Sequence, residues 1–522
     1  MKKIITIILC FCFLFNLCAC GGNTEEVKVK ENYVYKDTPV TAKPNNPTVM
    51  GLFYRNVVGT TIESDDPTIK AVDEKADAML KKIEEYPDTL KAKEGCNTYY
   101  ISAEGDDIND GLSPETPWKT YNNIKTKLKA GDALLFRRGD IFRGKIEMVS
   151  GVSYGAYGEG VKPRIYGSHD GLEGEWVPTA EDPDIYEYHG IGGDYANIIF
   201  NSGEFIGRPV DSRDRLKKRP LNVFIGQHIT VYSPEGNPGE IFHNIEIANS
   251  YCLMTGSGGG LEDMTIQNLC LMYTGIHHFG ALGAVKNMEI EGCIMGFCGG
   301  KDLHLPNVVS LGNAVEFWSQ AVNIDIHDNY IFQSYDAALT HQGPTSVSTS
   351  GQNSKTDYTN IKYRDNLLEY NTYDFEAFSC RSIKEQSNNP DGTFTYNDVY
   401  VTGNICRYTG FGWGSLDRPD KNVCRNFKYD AKGEQNAAGE WTNRHIKPLT
   451  IENNIFDRSR KTVLGISSPE DNKANMILKN NQFIEQARIS VFGKSGITDA
   501  ALEENLKKYF GVCEGNVFTE VK

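Results

Sequence analysis

The chain has 522 residues, 39% of them hydrophobic and 24% charged, and a formal net charge of −15. That acidity excludes nucleic acid as a default partner, since phosphates need clustered Lys and Arg, and serves solubility as a bulk property. The 51 Gly, 27 Tyr and 24 Phe suit many turns and short strands, and the length holds one large domain with attachments or two to three domains.

The chain opens with Met1-Lys2-Lys3 and a nearly unbroken apolar run, Ile4 to Leu17, too short to span a bilayer comfortably. Leu17-Cys18-Ala19-Cys20-Gly21 follows and resembles the lipobox of bacterial lipoproteins. The resemblance implies removal of residues 1–19, a lipid on Cys20, and a protein held extracytoplasmically on the bacterial cell surface by that anchor. A plain signal peptide and an anchor helix are the alternatives. Four of the 13 cysteines fall in this segment; the other nine form no CxxC pair, so no zinc or redox motif is present. Cys270, Cys293 and Cys406 read as small buried hydrophobes in similar repeat positions.

Residues 20–95 are a tether followed by one expected helix, in which Ile69, Val72, Ala76, Leu80 and Ile83 recur near helical spacing. The spacing leaves open whether that helix is a spacer or packs on the body. Residues 96–170 run through the strand Thr98–Ser102, the turn-rich Gly105–Gly111, Ser113-Pro-Glu-Thr-Pro-Trp118, a helix expected over Lys119–Lys129, and strand-like stretches at Ala130–Gly139, Gly151–Gly158 and Lys162–Gly167. Asp106, Asp107, Asn109 and Asp110 fit a solvated turn or a calcium loop. This order of segments resembles the start of proteins of the pectate lyase-like superfamily. The resemblance implies an all-β fold, a right-handed parallel β-helix whose open end is capped by the Trp-containing helix. Residues 171–240 break the pattern and read as a small β-rich insert.

Residues 241–495 carry the repeats. Strand cores begin at Ile245, Met264, Met288, Ile324, Ile361, Val399, Leu449 and Met476, usually just after Asn or Asp. Five residues on, Asn329, Asn366, Asn404, Asn454 and Asn481 fall at matching places. Asn tolerates a left-handed bend and can bond its copy in the next coil, which predicts a column. The gaps hold no helices between parallel strands, which argues against an α/β sheet. Residues 496–522 read as a C-terminal cap, helical over Thr498–Phe510.

Stacked coils lie about 4.8 Å apart, so equivalent positions are neighbours. Aligning Phe332–Ala338 with Glu369–Glu376 sets Asp336 over Asp374, with Glu376 two residues on; Glu316, His341 and Arg381 lie nearby, and the longest insertions leave from these coils. Paired carboxylates suit glycoside hydrolysis of a polysaccharide without a cofactor. Asp336, Asp374, Glu376, Glu316 and His341 are therefore the expected catalytic group, with Arg381, Trp318 and Trp413 on substrate and no metal. The alternative is a calcium-dependent lyase, with Asp336, Asp374 and Glu376 on calcium and Arg381 or Lys301 as base. A third is a surface lipoprotein that binds glycan without cleaving it.

Overall fold

The computed structural model describes residues 65–519 apart from 123, 191, 211, 227, 257–259, 302–310, 319, 344–355, 380–393, 415–424, 431–445, 460–461, 468–475, 485–489, 492–505 and 508–509. Cys20 and Arg381 lie outside the described residues.

Three parallel sheets of 11, 10 and 9 strands run along the body, each strand paired with its counterpart in a neighbouring coil. The chain is a right-handed parallel β-helix. In the first sheet Met264, Met288, Ile324, Ile361, Val399, Leu449 and Met476 stand directly over one another. Their side chains belong to one continuous buried core. Ile245 is the exception among the expected cores. It lies in Ile245–Asn249, which pairs antiparallel with Tyr195–Phe200 and Ser168–Asp170. The insert therefore claims it, and the antiparallel module reaches from Ser168 to Asn249, beyond 171–240. Its second sheet contains Asn222–Ile225, Ile229–Tyr232, Ile185–His189 and Glu175–Pro178. Trp176, Tyr188, Phe200 and Phe242 help fill a separate core there.

The turn from the first sheet to the second is held by asparagines. Asn329, Asn366, Asn404, Asn454 and Asn481 are fully buried, and each Nδ2 donates to the next Oδ1 at 2.9–3.1 Å. Asn516 extends the column by one coil, and Cys293 stands above it, its backbone N–H donating to Asn329 Oδ1. The left-handed residue is not the ladder Asn but the one before it: Asp328, Asp365, Gly403, Asn453, Asn480 and Gly515 all have positive φ. A second, exposed ladder joins Asp263, Asn287, Asn323 and Asn360, whose left-handed backbone bulges the first sheet. Cys270, Cys293 and Cys406 are buried thiols, but in different positions: Cys270 is level with Ile294, and Cys406 with Leu368.

The expected helix is α1, Pro67–Glu84. Asp66 caps it by accepting from Thr68 N–H at 2.8 Å, and Pro67 fits the first turn. Its five apolar positions are buried on the outer face of the second sheet, against residues such as Tyr330, Phe332, Leu367 and Ile405. It packs on the body rather than spacing it. Asp73 reaches both Arg407 and Arg458 at 2.5 Å.

The expected N-terminal capping helix differs. The described residues of 119–129 form turns and bends rather than a helix, and Tyr121 and Lys125 both bond Glu147. Trp118 still closes the core, 1% exposed and stacked on Tyr99. The nearby acidic loop braces its own turns: Asp107 accepts from the N–H groups of Lys119 and Thr120. Most of Thr498–Phe510 lies outside the described residues. Phe510 N–H donates to Leu506 O at 3.1 Å and both side chains are buried. Strands Val512–Glu514 and Val517–Thr519 then add a further coil past residue 495.

Candidate active site

The third sheet contains Val315–Phe317, Ala337–Gly343 and Tyr373–Ser379 in adjacent coils. Val315, Leu339 and Phe375 stack into the core, as does Phe317. Side chains alternate along a strand, so Glu316, Thr340 and Glu376, which share one rung position, point to the outer face. Gly280 and Thr255 continue the column on one side of Glu316.

This register corrects the sequence alignment by two residues. Ala337 is level with Tyr373, so Asp336 faces Thr372 and Asp374 is level with Ala338. Asp374 has no exposure; it accepts from the Thr409 hydroxyl at 2.6 Å and sits beside the buried Cys406 thiol. It is a structural acid at a corner. His341 points inward, bonds the Tyr363 hydroxyl at 3.0 Å, and is pushed down to about 3 by burial, so it is neutral and out of reach of substrate. Trp413 is also 1% exposed. Its indole N–H donates to Gln333 O at 2.8 Å and its ring packs on Tyr335, so it supports a corner and offers no stacking face. Asp336 is half-buried and lies just before the strand Ala337–Gly343, four residues ahead of Thr340.

Glu316 and Glu376 are the expected acids that the fold does bring to one face. They are two rungs apart, roughly 9–10 Å between backbones. Glu316 is 5% exposed and Glu376 3%. Burial pushes the Glu316 carboxyl up. The His277 ring and hydrogen bonds from His277, Gln342 and Asn313 outweigh that and hold it below its ordinary value. His277 Nε2 contacts Glu316 Oε2, and Gln342 Nε2 donates to Oε1 at 3.0 Å. His277 Nδ1 accepts the Asn313 N–H at 3.0 Å and lies 3.2 Å from its carbonyl, while Nε2 faces Glu316. Gly280 allows this approach, because a Cβ there would lie 2.8 Å from Cys252 Sγ and 3.2 Å from the His277 ring.

Trp318 shares the Glu316 face by alternation and is half-buried. Leu282, one residue past the level pair Ala281 and Phe317 in the adjacent coil, is 75% exposed. The expected site residues did not include His277, Asn313, Thr340 or Gln342, although Thr340 and Gln342 lie in the polar stretch Tyr335–Gln342. Equal spacing held the signal: His277 precedes Gly280 by three residues, as Asn313 precedes Glu316, and the structure makes those pairs level.

No family model matches the sequence, and no curated protein matches it. Solved structures do. One titled as the complex of XylC with xylose is 12% identical, with 81% of this chain and 82% of that chain covered and a TM-score of 0.41. A rhamnogalacturonan lyase is 12% identical, with 74% of each chain covered and a TM-score of 0.39. A glycoside hydrolase is 9% identical, with 76% of this chain and 89% of that chain covered and a TM-score of 0.39.

Proposed function

We propose that the protein is a carbohydrate-active enzyme that hydrolyses glycosidic bonds of a polysaccharide on the outer face of the third sheet. The observation that carries this reading is the pair Glu316 and Glu376, buried on one face two rungs apart, with Glu316 held as the carboxylate. Two rungs, roughly 9–10 Å between backbones, are wide enough for a water between the carboxyls, as an inverting glycosidase needs. Glu316 then acts as the general base and Glu376 as the acid that protonates the leaving oxygen. Trp318 and Leu282 supply an apolar strip beside the acids for the face of a sugar ring.

The lyase arrangement has less support. Asp374 is inside the solenoid, and the Lys301 ammonium is held by Asp194 of the insert at 2.5 Å. The lipobox-like segment further suggests that the enzyme works at the bacterial surface, tethered through Cys20. Cys20→Ser should move the chain from the membrane to the soluble fraction.

The test of function is a panel of plant, algal and bacterial glycans incubated with the full-length chain. New reducing ends without ultraviolet-absorbing unsaturated product are expected, and Glu316→Gln and Glu376→Gln should abolish them. Unsaturated ends that vanish with a chelator would make it a lyase. Binding without product, unchanged in both variants, would leave a glycan-binding protein.

A further inference from the structure

Thr340 stands on the rung between the two acids, its neighbours Leu339 and His341 turned inward. It has no exposure, and its Oγ1 has no hydrogen-bond partner in the protein. A buried hydroxyl left unpaired costs about 1–3 kcal/mol, and Val would fill the same space without that cost. A polar site of this kind takes a water with two or more partners. Partners are at hand. An ionised carboxylate has about four acceptor positions, and Glu316 gives positions to His277, Gln342 and Asn313.

We infer that Thr340 holds the attacking water of the reaction, between its own Oγ1 and the Glu316 carboxylate. This rests on the hydrolase reading and deepens it. In the step, Glu316 takes one proton from the water while the water oxygen bonds the anomeric carbon. The glycosidic C–O bond breaks, and the leaving oxygen takes the proton of Glu376. Exchange with solvent returns both carboxyls to their starting states. Thr340 touches only the water, so it is a positioning residue: its loss lowers kcat more than it raises KM.

The experiment compares full-length wild type, Thr340→Val and Thr340→Ser in two measurements. Crystal structures should show an ordered water within hydrogen-bond distance of Thr340 Oγ1 and Glu316 in wild type and in Thr340→Ser, and none in Thr340→Val. On a glycan that wild type cleaves, Thr340→Val should lower kcat about 10- to 100-fold with KM within about twofold, and Thr340→Ser should restore most of it. An empty position in wild type overturns the proposal whatever the activity. So does Thr340→Val at wild-type kcat, and in that case the hydrolase reading stands. A bound water in a wild type that cleaves nothing on the panel removes the hydrolase reading, and the role given to the water falls with it.

Discussion

The outer faces of the second and third sheets are built from the same coils, one corner apart. On the second, the outward column is Cys270, Ile294, Tyr330, Leu367 and Ile405, and α1 covers it with five apolar side chains. The charges there are paired: Arg407 with Glu369, Arg458 with Asp457, and both with Asp73. On the third, the equivalent column is Gly280, Glu316, Thr340 and Glu376. One hydroxyl in it has no partner, and one carboxylate is ionised against its burial. In a stacked sheet a column reports what covers it. An apolar column is sealed by the chain itself, whereas a buried acidic column costs folding energy that a ligand or a reaction must justify.

The largest test of that contrast is chemical. Glu316→Gln should lower turnover about 10²- to 10⁴-fold, the range of general-base removal. It should also change the acid side of the stability profile. A carboxyl held low in the folded state stabilises above its unfolded value and loses that contribution as pH falls through the folded one. Thermal midpoints from pH 7 downward should therefore converge for wild type and Glu316→Gln. Parallel curves would mean that the His277 contact does not hold the charge. Next in size is the ladder. Asn404→Ala leaves the Asn366 N–H and the Tyr363 carbonyl unpaired in the interior, where Asn404 now serves both. A loss of about 2–4 kcal/mol is expected in denaturant unfolding. A loss below about 1 kcal/mol would show that the coils close without the column.

Much of the scaffold was legible because it repeats. Met264 to Met476 and Asn329 to Asn481 are spelled several times, and α1 by a 3.6-residue period. The misassigned core, Ile245, has the local look of a repeat, an Asn followed by alternating apolar residues, and differs only in its partner strand. Local sequence does not encode whether a neighbour is parallel or antiparallel. The site was half legible for a related reason. Glu316 and Glu376 were visible as acids beside insertions, but register decides which face a residue takes. A slip of two residues kept Asp374 in the alignment although it lies in the wall. His277 and Thr340 carry no motif; only stacking makes them neighbours of Glu316.

The sealed face gives smaller effects. Asp73→Ala should cost about 1 kcal/mol or less, since Asp73 is 38% exposed and both arginines keep another partner. Limited proteolysis should then cut within α1 sooner than in wild type. Unchanged cleavage would show that the apolar stripe alone docks the helix.

A pH-dependent effect lies where the chain leaves α1. Lys82 pairs with Asp328 at 2.6 Å, and Tyr86 bonds Glu291. Between these acids sits His327, bonded to Asp328 and Glu289 at 2.9 Å each, with Glu291 at 3.6 Å and the Arg364–Asp325 pair alongside. Burial opposes its protonation, but the bonds to Asp328 and Glu289 outweigh that and raise it to about 9. A histidine raised in the folded state stabilises fully below its unfolded value, about 6.5, and loses that contribution as pH rises through the folded one. Wild type should thus exceed His327→Gln in thermal midpoint by a few degrees at about pH 6, with the gap closing by about pH 9–10. A gap that is constant with pH would mean that His327 braces this corner by packing, not charge. Charge bracing α1 would then rest on the pairs that Asp73 makes with Arg407 and Arg458 rather than on this corner.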